Sequence, residues 1–197
     1  MGRSTSSLDR WEIRAAAAPD AEAIAEIYNQ AVLTTVATFD TRPRSLAAQR
    51  RWLAEHGGPH PVRVAVANGQ VIGWASLSPW SDRPAYDGTA EVSVYVRDDW
   101  RGRGVGRSLL GDLLREGERQ RLHTLLARVA DGNPASTRLH AAFGFRSVGV
   151  MREVGFKFGR WVDVELFQRA LRTAAARGGS RTGRKGPPAG DRSARSG

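Results

Sequence analysis

The sequence predicts an α+β fold in which one strand, two helices, three strands, a helix, a strand, a helix and two strands follow one another with no internal repeat. Three observations carry this expectation. Residues 89–114, TAEVSVYVRDDWRGRGVGRSLLGDLL, read as a strand, a glycine-rich turn and a helix. Asn68-Gly69 separates two apolar runs, the strongest short hairpin signal. Asn133-Pro134 opens a late helix, with proline in its first turn, between segments of strand character. With 197 residues, 41% of them hydrophobic, the chain can bury one core. A single domain over residues 11–171 is expected, between a disordered N-terminus (1–10) and a disordered basic tail (172–197).

Taken in order, residues 11–16 form the first strand, and Pro19-Asp20 opens a helix with Ile24, Ile27, Tyr28 and Ala31 on one face. The stretch TTVATFDTRP (34–43) is β-branched and turn-forming, so it is free to form a wall of a substrate pocket. Ser45 caps a second helix, which runs to about His56 and is stopped by Gly57-Gly58-Pro59. Residues 62–67 and 70–77 are the hairpin strands, and SPWSDRPAYD (78–87) is a turn-rich connection. Val92 to Val96 are β-branched or aromatic at nearly every place, which sets a strand over about 88–97. Val105, Leu109, Leu110, Leu113 and Leu114 recur at helical spacing. A fifth strand covers 123–129, the late helix ends by Gly144, and strands at 145–154 and 161–170 complete the domain.

Composition narrows the chemistry. Zero cysteines exclude disulfides, thiolate catalysis and Cys-ligated metal, and His56, His60, His123 and His140 show no metal-ligand spacing, so no metal is expected. There is no apolar run near the length of a membrane span and no basic-then-apolar leader, so a cytoplasmic location is expected. Of the formal charge of +10, residues 172–197 hold seven basic side chains against one acid, a net +6, which leaves +4 for the rest. That remainder suits a domain handling a polyanionic ligand, and the tail is read as a solubilising end.

In RGRGVGR (101–107) the alternating Gly102, Gly104 and Gly106 let backbone N–H groups turn inward, and the following helix adds its positive end. Such a turn is an anion cradle, and Arg101, Arg103 and Arg107 add charge where a pyrophosphate could sit. It is not a P-loop, since Gly106 is followed by Arg107, nor the dinucleotide fingerprint, since the third glycine falls one residue early. Arg101, Gly104 and Gly106 do match the R/Q-x-x-G-x-G/A signature, and the chain resembles the GNAT superfamily of N-acetyltransferases over residues 11–171. TAEVSVYV (89–96), NPASTRLHAAFGF (133–145) and FKFGRWVDVELFQR (156–169) are similar to its phosphinothricin and methionine sulfone/sulfoximine N-acetyltransferase branch.

The resemblance implies the GNAT acyl-CoA N-acyltransferase fold, an α/β mixed sheet whose fourth and fifth strands splay apart to admit acetyl-CoA as co-substrate. It places Val94, Tyr95 and Val96 along the pantetheine, and Gly102, Arg103, Gly104, Val105, Gly106 and Arg107 on the pyrophosphate, beside Arg101. It also implies Asn133 on the CoA arm, and a homodimer.

Acetyl transfer needs a neutral nitrogen, and an aliphatic amine with a pKa near about 10 arrives as ammonium. Something must take its proton. In an extended strand Glu91, Ser93 and Tyr95 share one face, and Glu91 is the candidate base; the resembling branch assigns that role to the Glu at this place. The pattern N-x-x-A/S-x-x-L-Y, whose Tyr is the general acid in many GNAT enzymes, keeps Asn133, Ser136 and Leu139 here but carries His140 in the Tyr position, as the branch does. Whether His140 is acid, base or structural is left open. Candidates for binding the acceptor are Phe39, Ser81, Asp82, Arg83, Glu91, Val92, Ser93 and Lys157, with Trp161 near the last strands.

The activity implied is transfer of acetyl to the α-amino group of a small amino acid analogue. The alternatives are another amine (a protein N-terminus, a polyamine or an aminoglycoside) or a nucleic-acid-associated acyl-CoA-binding module that uses the basic tail.

Overall fold

A computed structural model describes residues 10–131 and 133–171, so the expectations for residues 1–9 and for the basic tail from Arg172 lie outside the described residues. Seven strands and four helices follow the expected order: β1 (Glu12–Ala15), α1 (Ala21–Thr34), α2 (Leu46–Glu55), β2 (Val62–Ala67), β3 (Gln70–Pro79), β4 (Thr89–Val96), α3 (Val105–Arg119), β5 (Thr124–Ala130), α4 (Pro134–Ala142), β6 (Arg146–Lys157) and β7 (Arg160–Ala170). They form one mixed sheet in the order β1-β2-β3-β4-β5-β7-β6, in which only β4 and β5 run parallel.

Period-two alternation divides each central strand between two cores. Val92, Val94 and Val96 of β4 pack toward α3, whose Val105, Leu109, Leu110 and Leu113 are at most 1% exposed. Each such leucine contributes about 1.5–3 kcal/mol by leaving water. On the other side of the sheet, Ile24, Ile27, Tyr28 and Val32 of α1 cover Val62, Val64, Val71 and Trp74, with Tyr95 of β4 against them.

Both hairpin turns have two residues in the left-handed region: Asn68 and Gly69 at φ 49 and 74, and Phe158 and Gly159 at φ 51 and 74. The first was legible as Asn-Gly. In the second a phenylalanine holds the position that favours Asn, at a cost of about 1–2 kcal/mol, and its aromatic character hides the turn. β6 therefore runs to Lys157 rather than ending at 154, with bulges between Ser147 and Gly149 and between Met151 and Gly155.

The feature that creates a site is a failure of pairing. β4 and β5 pair at Thr89↔Thr124, Ala90↔Leu125 and Glu91↔Leu126, and no further. Beyond Glu91 the strands diverge, while β5 stays paired on its other edge with β7 from Thr124 to Ala130. Among the described residues no helix is long and apolar enough to cross a membrane.

Candidate active site

A cleft of about 1080 Å³ opens at this divergence and runs through the sheet from α1 and α2 to the start of α3. One end is the glycine-rich turn. Gly102 and Gly104 stand at φ 75 and 96, where a Cβ would be strained, and Gly104 is the N-cap of α3 with no side chain capping it. The first-turn N–H groups of α3 are thus left for a ligand, at the positive end of its dipole. Gly106 faces Val94, Val96 and Leu139, and a Cβ there would sit 3.6 Å from Val96 and Leu139.

The arginines around the turn are partly occupied. Arg101 donates from Nε to Val96 O (3.2 Å) and pairs with Asp98 (2.6 Å), which pins the turn to the end of β4. Arg107 lies over Phe143 at 5.3 Å and lines the cleft. Arg103 stacks on Trp100 (5.1 Å) and Val105 is core, so neither lines the cleft.

The floor of the other half is a cross-strand ladder, Trp74↔Tyr95, Ser76↔Ser93 and Ser78↔Glu91, facing α1 and α2. Tyr28 and Tyr95 close around Trp74, with ring centroids at 6.1 and 4.8 Å from it. Burial pushes the Tyr28 phenol up to about 12 and raises that of Tyr95 as well, so both are neutral donors near pH 7. Trp74 Nε1 and Ser76 Oγ are buried without a protein partner. Both residues line the cleft floor, with these atoms beneath its surface.

At the point of divergence Glu91 accepts from Arg128 on both carboxylate oxygens, Nε at 2.6 Å and Nη2 on the second. The ion pair holds the Arg128 guanidinium above its ordinary value. Facing it from α4, His140 is 5% exposed, and its Nδ1 donates to Ser136 O at 2.9 Å. Since a carbonyl can only accept, Nδ1 carries the hydrogen and Nε2 presents a lone pair, which has no protein partner. Burial lowers the imidazole below its usual range, so the ring is neutral at neutral pH. Asn133 caps α4 by accepting from Ser136 N at 3.1 Å, and its side-chain N–H₂ is left for the cleft. No group of three or more His, Asp or Glu able to hold a metal occurs among the described residues.

A parallel pair that parts after three residues, an uncapped glycine turn at the mouth of a helix and a carboxylate at the fork form one continuous channel. The family pattern described as Acetyltransferase (GNAT) domain matches residues 13–166, which include every residue lining the cleft. The chain belongs to the GNAT acetyltransferase family. It is 40% identical over 164 residues to a phosphinothricin N-acetyltransferase of Streptomyces coelicolor, covering 81% of this chain and 96% of that protein. An L-methionine sulfoximine/L-methionine sulfone acetyltransferase of Pseudomonas aeruginosa is 42% identical over 160 residues, covering 79% and 92%. Among solved structures, a GNAT superfamily phosphinothricin acetyltransferase from Sinorhizobium meliloti in complex with AcCoA superposes with a TM-score of 0.80 at 36% identity, covering 84% of this chain and 91% of that one.

Within this GNAT domain some of the residues expected from sequence line the cleft and others do not. Glu91, Val92, Ser93, Val94, Tyr95, Val96, Arg101, Gly102, Gly104, Gly106, Arg107, Asn133, His140 and Phe39 line one cleft. Ser81, Asp82 and Arg83 do not line it. Ser81 Oγ accepts from Arg83 N at 3.3 Å, so the segment folds on itself ahead of a short helix at Pro84–Tyr86. Lys157 is also elsewhere: the residue is 4% exposed, and its ammonium donates to Thr35 O (2.8 Å) and Thr38 O (2.7 Å) and so anchors the loop that carries Phe39. Trp161, 59% exposed, projects from the last hairpin, outside the cleft lining. The residues that sequence reading passed over are Arg128, Trp74 and Ser76. Only Arg128 left a signal, as a charge interrupting the apolar strand LLARVA.

Proposed function

We propose that the chain is an acetyl-CoA-dependent N-acetyltransferase for the α-amino group of a small polar amino acid analogue, of the methionine sulfone, methionine sulfoximine or phosphinothricin type. The observation that carries the reading is the fork: one carboxylate, Glu91, stands where β4 loses its partner, and a helix mouth with free amides stands at the other end of the same strand. Acetyl-CoA lies with its pyrophosphate on the amides from Gly102 to Arg107 and its pantetheine along Val94 to Val96, with the Asn133 amide beside it. Glu91 accepts the ammonium proton, directly or through water, and the neutral nitrogen attacks the thioester carbonyl. A backbone N–H of β4 near Val94, beyond the last pairing with β5, stabilises the oxyanion.

Collapse of the tetrahedral centre breaks the C–S bond. The thiolate of an alkyl thiol with a pKa of about 8.5 leaves readily and takes up the second proton, shed by the attacking nitrogen, while Glu91 passes the first to solvent. His140, neutral with an outward lone pair on Nε2, acts as a hydrogen-bond acceptor for the reacting groups rather than as an acid. No thiol exists in the chain to carry the acetyl group, which supports direct transfer. Trp74 Nε1 and Ser76 Oγ, buried and unpartnered beneath the floor, supply the hydrogen bonds that sulfone, sulfoximine or phosphinate oxygens need once side-chain movement uncovers them.

An amine panel with acetyl-CoA, followed by free thiol release, tests this. Methionine sulfone, methionine sulfoximine and phosphinothricin are expected to exceed polyamines, aminoglycosides and peptide N-termini in kcat/KM by about 10²-fold, since an unmatched buried donor set rejects a poor partner. A polyamine or a peptide as best acceptor would overturn the reading.

The functional unit is a homodimer in this proposal. β6 is the sheet's edge strand, and Val148, Val150, Val154 and Phe156 along it are 42–58% exposed. A long apolar edge is unusual for a free surface. Sedimentation is expected to give twice the chain mass of 21.4 kDa, and Val150→Asp to give single chains. A wild-type monomer at micromolar concentration would refute it.

A further inference from the structure

Arg128 stands in the middle of β5 and reaches across the fork to Glu91. Its guanidinium also lies 5.7 Å from the Trp80 ring centroid, and its side chain is 53% exposed in the cleft. Nε and Nη2 serve Glu91, so the Nη1 N–H groups have no protein acceptor among the described residues. A planar guanidinium can hold one carboxylate on one edge and a second on the next, which an ammonium cannot do with the same geometry.

An α-amino acid carries ammonium and carboxylate on one carbon. Fixing the amine therefore fixes the carboxylate to within a few ångströms. With the amine at Glu91, the cation in reach is the one already touching Glu91. The other cations of the cleft are placed differently. Arg44 is wedged between α1 and α2, over Tyr28 and Trp52, where it donates to Gln49 Oε1 and pairs with Asp40. Arg101 and Arg107 belong to the glycine-turn end, and Arg138 is an exposed residue of α4 with no contact to Glu91 among the described residues.

We infer that Arg128 is the receptor for the acceptor's α-carboxylate, and that the Glu91–Arg128 pair is a preformed complement to an amino acid zwitterion. This rests on the reading of the acceptor as an amino acid. The incoming ammonium faces Glu91 and the incoming carboxylate takes the Nη1 edge of Arg128. Arg128 then divides its charge between two carboxylates, and Glu91 gains a second cation whose proton it can accept. An amine without a carboxylate gives Glu91 its ammonium but leaves that edge of Arg128 without an anion.

The test uses the full chain with acetyl-CoA and two acceptors, methionine sulfone and its decarboxylated counterpart 3-(methylsulfonyl)propylamine. Wild type, Arg128→Ala and Arg128→Lys are compared. Wild type is expected to prefer the acid; Arg128→Ala is expected to lower kcat/KM for the acid by about 10²-fold, chiefly through KM, and for the amine by less than about threefold. Arg128→Lys restores part of the preference through its charge, and it gives the comparison if the alanine variant does not fold. Equal losses on both acceptors would mean that Arg128 acts only through Glu91, and would overturn the inference; so would an acid preference retained in Arg128→Ala. If wild type transferred acetyl to amines but to no α-amino acid, the amino acid reading itself would fail, and the inference with it.

Discussion

Glu91→Gln is expected to lower kcat by about 10²-fold or more near neutral pH, the usual scale of general-base assistance. The amide keeps the shape and a hydrogen bond to Arg128 but cannot take a proton. Because the acceptor's ammonium titrates near about 10, raising the pH supplies free amine without a base, and the deficit is expected to shrink there. The fold should be retained. A half-exposed ion pair contributes about 1 kcal/mol or less, so a melting temperature close to wild type is expected alongside the kinetic loss. Rates across pH 6–10 decide the matter: a variant whose profile parallels the wild type throughout would remove Glu91 from proton transfer.

Gly104→Val is expected to weaken acetyl-CoA binding by about 10²-fold, since one or two charge-assisted hydrogen bonds at about 1.5–3 kcal/mol each would be lost. The cause is the backbone. Gly104 sits at φ 96, and a β-branched residue there is strained, so the turn must rotate and its amides no longer converge. Strain alone is controlled by Gly58→Ala, which also lies in the left-handed region, at φ 52, with open space around its Cβ and outside the cleft lining. Calorimetric titration with acetyl-CoA is expected to separate the two: Gly58→Ala binds like wild type and Gly104→Val does not. Equal affinities would move the diphosphate away from this helix mouth.

Local sequence rules read the elements well because their signals are short-range. Alternation in VSVYV, the recurrence of Leu109, Leu110 and Leu113, and Asn68-Gly69 each depend only on neighbours a few residues apart. The turn at Phe158-Gly159 escaped because its left-handed residue is aromatic, which reads as strand. Motif and backbone coincide at Glu91 and in the glycine turn, which the structure places at the fork and at the mouth of α3. Site residues were misplaced where a side chain's partner lies far along the chain. Lys157 looked like a substrate ligand until its contacts with Thr35 and Thr38, about 120 positions away, were seen to use its charge.

By itself the sequence determined the order of strands and helices, the glycine-rich turn and the absence of any thiol, since these are set by residue type and near-neighbour spacing. The tertiary structure alone decided that β4 and β5 part after Glu91, that Arg128 comes to hold that carboxylate, and that Trp74 and Ser76 meet the cleft with polar atoms unpaired. Those facts follow from contacts between residues far apart in the chain. β5 holds β7 on one edge along its whole length and β4 on the other for three residues, and no local preference in either segment encodes where that second pairing stops.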